Sequence, residues 1–324
     1  MTIYQMPLFE LQSLPELKQV EARLRELSSG SDSWTPLFSS SVARGGKRLR
    51  PALVLLCGSF QPAPRYELVD VATAAELIHT ASLVHDDVID QAESRRGQPT
   101  VSARWGTHQA VLYGDFLFAR SFSLLTKHGY TGILENMTRA ISLMCEGEIE
   151  QFARRFDCSV TEAEYMSYIH KKTAFFLSSC CLAGAEASGM EPVQRKLLAS
   201  FGLQLGYAFQ LTDDLLDFKG SQEITGKPVL HDLREGYLTL PVIKLLCHPR
   251  YGNPVREIIK ERCFTQDSLH YVQTALHDSG ILDEVSKKVR TLVFRAKQNL
   301  QNLPRKPARA VLARLADYIV QRES

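Results

Sequence analysis

The stretch LVHDDVID, residues 83–90, sets an electrostatic problem inside an apolar segment. On a helix, residues four apart are offset by only about 40°, so Asp86 and Asp90 share a face. Like charges at that spacing destabilise a helix by about 0.2–0.5 kcal/mol per pair, and partial burial raises the penalty. Leu83, Val84, Val88 and Ile89 surround the acids, so a solvated acidic face accounts for them poorly. LTDDLLD, residues 211–217, repeats the pattern: Asp213 and Asp217 share a face among Leu211, Leu215 and Leu216. Two such faces call for cations. The nearby ligands are carboxylates, with one histidine and no thiolate, and hard oxygen donors suit Mg²⁺. Mg²⁺ is usually held by one or two carboxylates plus substrate phosphates. Two acid clusters on different helices could then face each other across a bundle interior, with metal and phosphate between them.

Working outward, the chain reads as helical nearly throughout. LPELKQVEARLREL places apolar residues at 14, 17, 20, 24 and 27, one amphipathic face. Long helices are expected over 66–90, 102–127, 133–155, 162–189 and 193–218, and further ones near 238–247, 266–278, 282–302 and 305–321. Gly/Pro punctuation such as RRGQPT, SGMEP and KGSQEITGKP falls between most of them. Period-2 runs, linkers and short repeats are missing. One all-α domain over residues 1–324 is the expected fold.

A 44 % hydrophobic fraction in 324 residues supplies a sizeable core, and a net charge of +2 argues against bulk nucleic-acid binding. The seven cysteines follow no metal or disulfide spacing and are expected to be reduced core residues of a cytoplasmic protein. No secretory signal and no membrane-length apolar run is expected.

Basic residues complete the pattern. GGKRLRP places Lys47, Arg48 and Arg50 after two glycines whose turn could aim amides at an anion. Arg95 and Arg96 follow the first acid cluster, HKKTA carries Lys171, Lys172 and Thr173, and Lys227 stands in TGKP. His79, two turns before Asp86, lies on nearly the same face. Taken together, these point to a diphosphate held through metal by Asp and directly by Arg and Lys. Neutralising that charge lets a diphosphate leave carbon. No Ser-His-Asp, Cys-His or P-loop pattern competes.

Two DDxxD runs in this order, with GGKRLRP, RRGQPT, GDFLFARSF, GEIEQ, KTA, FQLTDDLLD, GKP and LTLP around them, make the chain resemble the trans-isoprenyl diphosphate synthases, or polyprenyl synthetases. Within that family it most resembles the catalytic component of bacterial heptaprenyl diphosphate synthases. The resemblance implies a single-domain helical bundle around a deep central cavity, condensation of isopentenyl diphosphate onto an allylic diphosphate, Mg²⁺ (three ions with substrate bound), and a homodimer or a heterodimer with a small regulatory subunit. It assigns metal to Asp86, Asp90 and Asp213, with Asp217 and Asp87 in support. It assigns isopentenyl diphosphate to Lys47, Arg50, His79 and Arg96, and the allylic diphosphate to Arg95, Lys172, Thr173, Gln210 and Lys227. The family often has Gly at the position of Leu230 and Lys at that of Tyr237. A class I terpene cyclase, a non-catalytic partner subunit and a shorter-chain synthase are the competing readings.

Chain length is expected to follow from the helix below Asp86. Ser82 lies one turn down on nearly the same face and Ala75 three turns down. Ala81 is turned away from Asp86, and its role rests on the resemblance: short-chain members often carry bulky aromatics at these two positions before the first Asp. Small residues should leave the cavity floor open for a product of about C30 to C50, heptaprenyl favoured, with a menaquinone side chain as destination.

Overall fold

The computed structural model describes residues 14–28, 35–37, 46–62, 64–95, 97–219 and 230–321. Among these the regular structure is helical apart from one ribbon of two-residue strands. In order the elements are α1 (Pro15–Ser28), α2 (Leu49–Gly58), α3 (Arg65–Ile89), β1 (Ser94–Arg95), β2 (Gln98–Pro99), α4 (Val101–Trp105), α5 (Thr107–Lys127), α6 (Thr131–Ala153), α7 (Glu162–Ile169), a π-helical turn (His170–Ala174), α8 (Phe175–Ala187), α9 (Pro192–Lys219), α10 (His231–Arg234), α11 (Leu240–Leu246), α12 (Gly252–Lys260), α13 (Gln266–Asp278), α14 (Ile281–Gln301) and α15 (Pro307–Gln321). None of these helices is long and apolar enough to cross a membrane.

The described residues form two compact units. The first contains those up to Arg139 together with Ser179–Ala199 and Asn302–Leu315; the second contains Ala140–Ser178, Ser200–Gln301 and those from Ala316 on.

In the first unit α3 is the buried axis, packed against α1, α2 and α5. Val71, Ala72, Ala74, Ala75, Leu77, Ile78 and Ala81 have no exposed surface. A helix apolar around so much of its girth must be enclosed by others. Its buried hydroxyls are satisfied within the helix, Thr73 donating to the Val69 carbonyl and Thr80 to that of Glu76. At its N-terminal end the buried Asp70 accepts from Arg23 (2.9 Å) and contacts His128 (2.8 Å) and Lys127 (3.4 Å). Burial pushes the Asp70 carboxyl up, but these partners outweigh it and hold it below the ordinary value.

In the second unit α11 packs against α7, α12 and α14. The start of α7 is closed by a capping box: Thr161 accepts from the Glu164 amide while Glu164 accepts from that of Thr161.

The structure divides two of the expected helices. The segment 102–127 breaks into α4 and α5 at Gly106, which has φ +94°. The segment 162–189 is interrupted by the π-helical turn. Helices α2 and α12 lie outside the expected spans. Of the seven cysteines, all free, only Cys57, Cys180 and Cys181 are buried; Cys145, Cys247 and Cys263 are exposed and Cys158 is intermediate. The expectation that all seven are core residues is therefore corrected.

Candidate active site

The first acidic motif ends α3. Asp86 is half-buried and Asp90 exposed, at the helix C-terminus, where the Asp90 amide donates to the Asp86 carbonyl at 2.8 Å. The intervening Asp87 turns the other way. It is buried and accepts from Arg95 Nε at 2.6 Å. Arg95 sits on β1, whose pairing with β2 (Ser94 opposite Pro99, Arg95 opposite Gln98) fixes the turn after α3. Asp87 thus anchors the Arg95 guanidinium beside the first motif. Arg96 lies outside the described residues.

The same face of α3 continues with the half-buried Ser82 and His79. Ser82 turns its hydroxyl back onto the His79 carbonyl at 2.9 Å. Ala75 is fully enclosed, and so is Ala81.

Of the basic residues before α2, Lys47 is exposed and Arg50 half-buried. Arg48 between them adopts the left-handed conformation, φ +47°, and is buried. Its guanidinium pairs with Glu76 on α3 at 2.6 Å and with Glu21 on α1. The charge that the sequence offered for phosphate at Arg48 is spent on fixing the chain between α1 and α3. The local twist sends Arg48 inward and leaves Lys47 outside.

The second motif lies near the end of α9. Asp213 is half-buried. Asp214 is buried and accepts from Gln210 Nε2 at 2.9 Å and from the Tyr165 hydroxyl. Burial and the Asp232 charge push Asp214 up to about 7, against the pull of the Tyr165 and Gln210 hydrogen bonds. Asp217 accepts from the His231 and Asp232 amides at the start of α10 (3.1 and 3.3 Å), while its carbonyl accepts from the Leu230 amide. Burial, then Asp232, raises Asp217 to about 6 despite those amides. Leu230, at the position where Gly was expected, keeps the glycine-like backbone, φ +60°, and buries its side chain to 1 % exposure.

Gln210 links this motif to the π-helical turn. Its Oε1 accepts from the Thr173 hydroxyl at 2.7 Å. Two glycines let that turn seat closely. A Cβ on Gly206 would stand 2.5 Å from Ala174 Cα, and one on Gly147 would stand 2.8 Å from Lys171 Cβ and 3.0 Å from Lys172 Cγ. Wide π turns of this kind occur often at functional sites because they re-aim side chains. Here Lys172 reaches Glu148 (2.6 Å) and Gln151 (2.7 Å) on α6. Lys227 lies outside the described residues.

The structure therefore joins Thr173, Gln210 and Asp214 in one hydrogen-bonded chain and Arg95 to the first motif. Sequence reading missed Tyr165, Glu148 and Gln151. Both GEIEQ residues were visible in the motif, but nothing in the spacing gave them a role, and a lone Tyr in α7 carried no signal.

A family model described as polyprenyl synthetase matches residues 33–276. The chain belongs to the polyprenyl synthetase family. It is 37 % identical over 303 residues to the heptaprenyl diphosphate synthase component 2 of Bacillus subtilis, covering 92 % of this chain and 86 % of that one. It is 36 % identical to the octaprenyl diphosphate synthase of Escherichia coli, over 93 % of this chain and 94 % of the other. A solved polyprenyl synthase from Caulobacter crescentus CB15, complexed with calcium and isoprenyl diphosphate, superposes with a TM-score of 0.90 at 33 % identity, over 98 % of each chain. The fold is the all-α one of these enzymes, and the activity class is trans-prenyl diphosphate synthesis.

A polyprenyl synthetase depends on a divalent metal, and the donor set here fits one. The accessible acids of the two motifs are hard oxygen donors, and the middle acid of each is occupied inside the protein. Among the described residues no three His, Cys, Asp or Glu side chains gather as a ready-made cage. A few carboxylates completed by substrate phosphates is the Mg²⁺ pattern.

Proposed function

We propose that the protein extends an allylic diphosphate with isopentenyl diphosphate to a long all-trans product, hexaprenyl to decaprenyl with heptaprenyl favoured, destined for a menaquinone side chain. The observation that carries the length is the face of α3 below Asp86. Ser82 is small and half-buried there, with its hydroxyl satisfied by its own helix, and below it on α3 no Phe, Tyr or Trp occurs until Tyr66 at the far end. Small side chains leave a growing apolar chain room to pass, where a ring would stop it. Near-equal identity to heptaprenyl and octaprenyl synthases supports the same size range. The enclosure of Ala75 favours a second reading, a farnesyl or geranylgeranyl diphosphate synthase.

Asp86, Asp90, Asp213 and Asp217 would hold Mg²⁺, which when bound neutralises the allylic diphosphate and eases its departure. Arg95, Lys172, Thr173, Gln210 and Lys227 bind that diphosphate; Lys47, Arg50, His79 and Arg96 bind isopentenyl diphosphate. The allylic C–O bond breaks, the isopentenyl double bond attacks the freed carbon, and the proton lost in restoring the double bond goes to the departed diphosphate. No side-chain base is needed. The chain's own part is to orient the two diphosphates and shield the cationic carbon from water.

We read residues 1–324 as one functional domain that works in a dimer, with a second copy or a small regulatory subunit. Val111 and Leu112 on α5, and Ile149 and Phe152 on α6, are apolar and exposed, as an interface requires.

The test is mass spectrometry of dephosphorylated products made from farnesyl and isopentenyl diphosphates with Mg²⁺. Hexaprenyl or longer products are expected, and Ser82→Phe should shorten them towards geranylgeranyl. Ser82 is the cleaner position, because a ring at the enclosed Ala81 would overpack the core. A wild type that stops at farnesyl or geranylgeranyl contradicts the long-chain reading.

A further inference from the structure

Tyr237 gathers two cations from elsewhere in its unit. The Lys172 ammonium lies 5.9 Å from the ring centroid and the Arg155 guanidinium 5.3 Å. The ring's own place is set largely by the backbone. The Tyr237 amide donates to the Asp232 carbonyl at 2.8 Å, and the preceding Gly236 carbonyl accepts from the Phe156 amide at 2.9 Å. Arg155 is fixed separately, donating to the Glu235 carbonyl and to its carboxylate at 3.2 Å.

Lys172 has two other partners, Glu148 and Gln151. A carboxylate holds an ammonium by neutralising it. A ring face holds it through the quadrupole and leaves its positive charge undiminished for a phosphate. The lysine expected at position 237 would do the reverse, bringing a third cation towards Lys172 and Arg155 and repelling both.

We propose that Tyr237 is a positioning residue for the allylic diphosphate site: its ring face shares Lys172 with Glu148 and aims its ammonium, and Arg155 on the same ring adds to the positive field. The proposal rests on the reading of Lys172 as a diphosphate contact. It gives this chain a different route to anion binding at position 237, in which one direct cation is replaced by the alignment of two.

The test is steady-state kinetics of the full chain with both substrates varied, for Tyr237→Phe, Tyr237→Leu, Lys172→Ala and the double variant Lys172→Ala/Tyr237→Leu. Tyr237→Leu should raise the allylic KM about three- to tenfold, the range of a cation–π contact. Its kcat and its KM for isopentenyl diphosphate should change less than about twofold. Tyr237→Phe keeps the ring and should match the wild type, which separates loss of the platform from general disturbance of the loop. In the double variant the leucine should add little to the effect of Lys172→Ala. If Lys172→Ala raises the allylic KM but Tyr237→Leu does not, or if the two effects multiply in the double variant, the positioning role is overturned. If Tyr237→Phe behaves as Tyr237→Leu, the ring face is not what acts. If Lys172→Ala itself leaves the allylic KM unchanged, the reading of Lys172 falls and the inference falls with it.

Discussion

The two aspartate motifs share a spacing and differ in how the protein treats it. In the first, the middle acid, Asp87, is buried against a guanidinium. In the second, Asp214 is buried against neutral donors, Tyr165 and Gln210, and is pushed up to about 7. The last acids differ as well. Asp90 is exposed at a helix end, whereas Asp217 is half-buried, ties down the start of α10 and is raised to about 6. In one motif the middle acid is balanced by its own arginine. In the other the middle acid is held by hydrogen bonds from neutral donors, and Asp232 pushes it and Asp217 up. Identical spacing therefore gives one motif that presents an arginine along with its acids and one whose middle acid is held by neutral hydrogen-bond donors.

The sharpest way to break the contrast is to neutralise both middle acids. Asp87→Asn removes the charged partner that orients Arg95 and should raise the allylic KM about 10- to 100-fold, the worth of a charge-assisted hydrogen bond. Asp214→Asn should cost less than about threefold. Gln210 can flip its amide and Thr173 can rotate its hydroxyl, so every partner stays satisfied. Equal effects in steady-state kinetics would erase the distinction between an ion-paired and a hydrogen-bonded motif.

Asp70 provides an ion-paired acid remote from both motifs, sixteen residues before Asp86 on the same helix. Asp70→Asn should destabilise the fold by about 2–3 kcal/mol, because Arg23, Lys127 and His128 lose their shared partner. The folded carboxyl sits below its unfolded value. Its contribution is therefore complete above the ordinary carboxylate range, about pH 4, and is lost as pH falls through the folded value. Urea unfolding at pH 7 and pH 3 should show the gap between variant and wild type closing at the lower pH, while allylic KM stays unchanged.

The smallest effect concerns the anchoring of Asp217. Leu230→Gly relieves about 1–2 kcal/mol of left-handed strain but gives up about 1.5–3 kcal/mol of side-chain burial. A net loss of about 1 kcal/mol is expected, read as a slightly lower Tm. A clear rise in Tm would show that strain, not burial, dominates at the segment that Asp217 ties.

What could be read in the sequence was what depends on period and chemical type. The long helices and both acid pairs follow from apolar spacing and charge. The shared face of Asp86, Ser82 and His79 follows from helical geometry alone. What could not be read was conformational choice within a continuing pattern. The apolar period runs straight through Gly106 and through HKKTA, so neither the break nor the π turn announces itself; the π turn shows only in how closely Gly147 and Gly206 admit it. Helix α2 lies in RLRPALVLLCG, where charges at the start mask the apolar run that forms it. The inward turn of Arg48 depends on a left-handed residue and on glutamates 27 residues before it and 28 after it. Residue type alone does not fix burial, as the exposed Cys145, Cys247 and Cys263 show.

The central claim is that acids of both motifs bind the allylic diphosphate through a divalent cation. Isothermal titration of the full chain with farnesyl thiodiphosphate, an unreactive allylic analogue, tests it without requiring turnover or a partner. With Mg²⁺ present, tight binding is expected. Chelation with EDTA, Asp86→Ala and Asp213→Ala should each weaken it at least about tenfold, while the variants keep their fold by circular dichroism. Binding unchanged by EDTA, or by either substitution, would contradict the account.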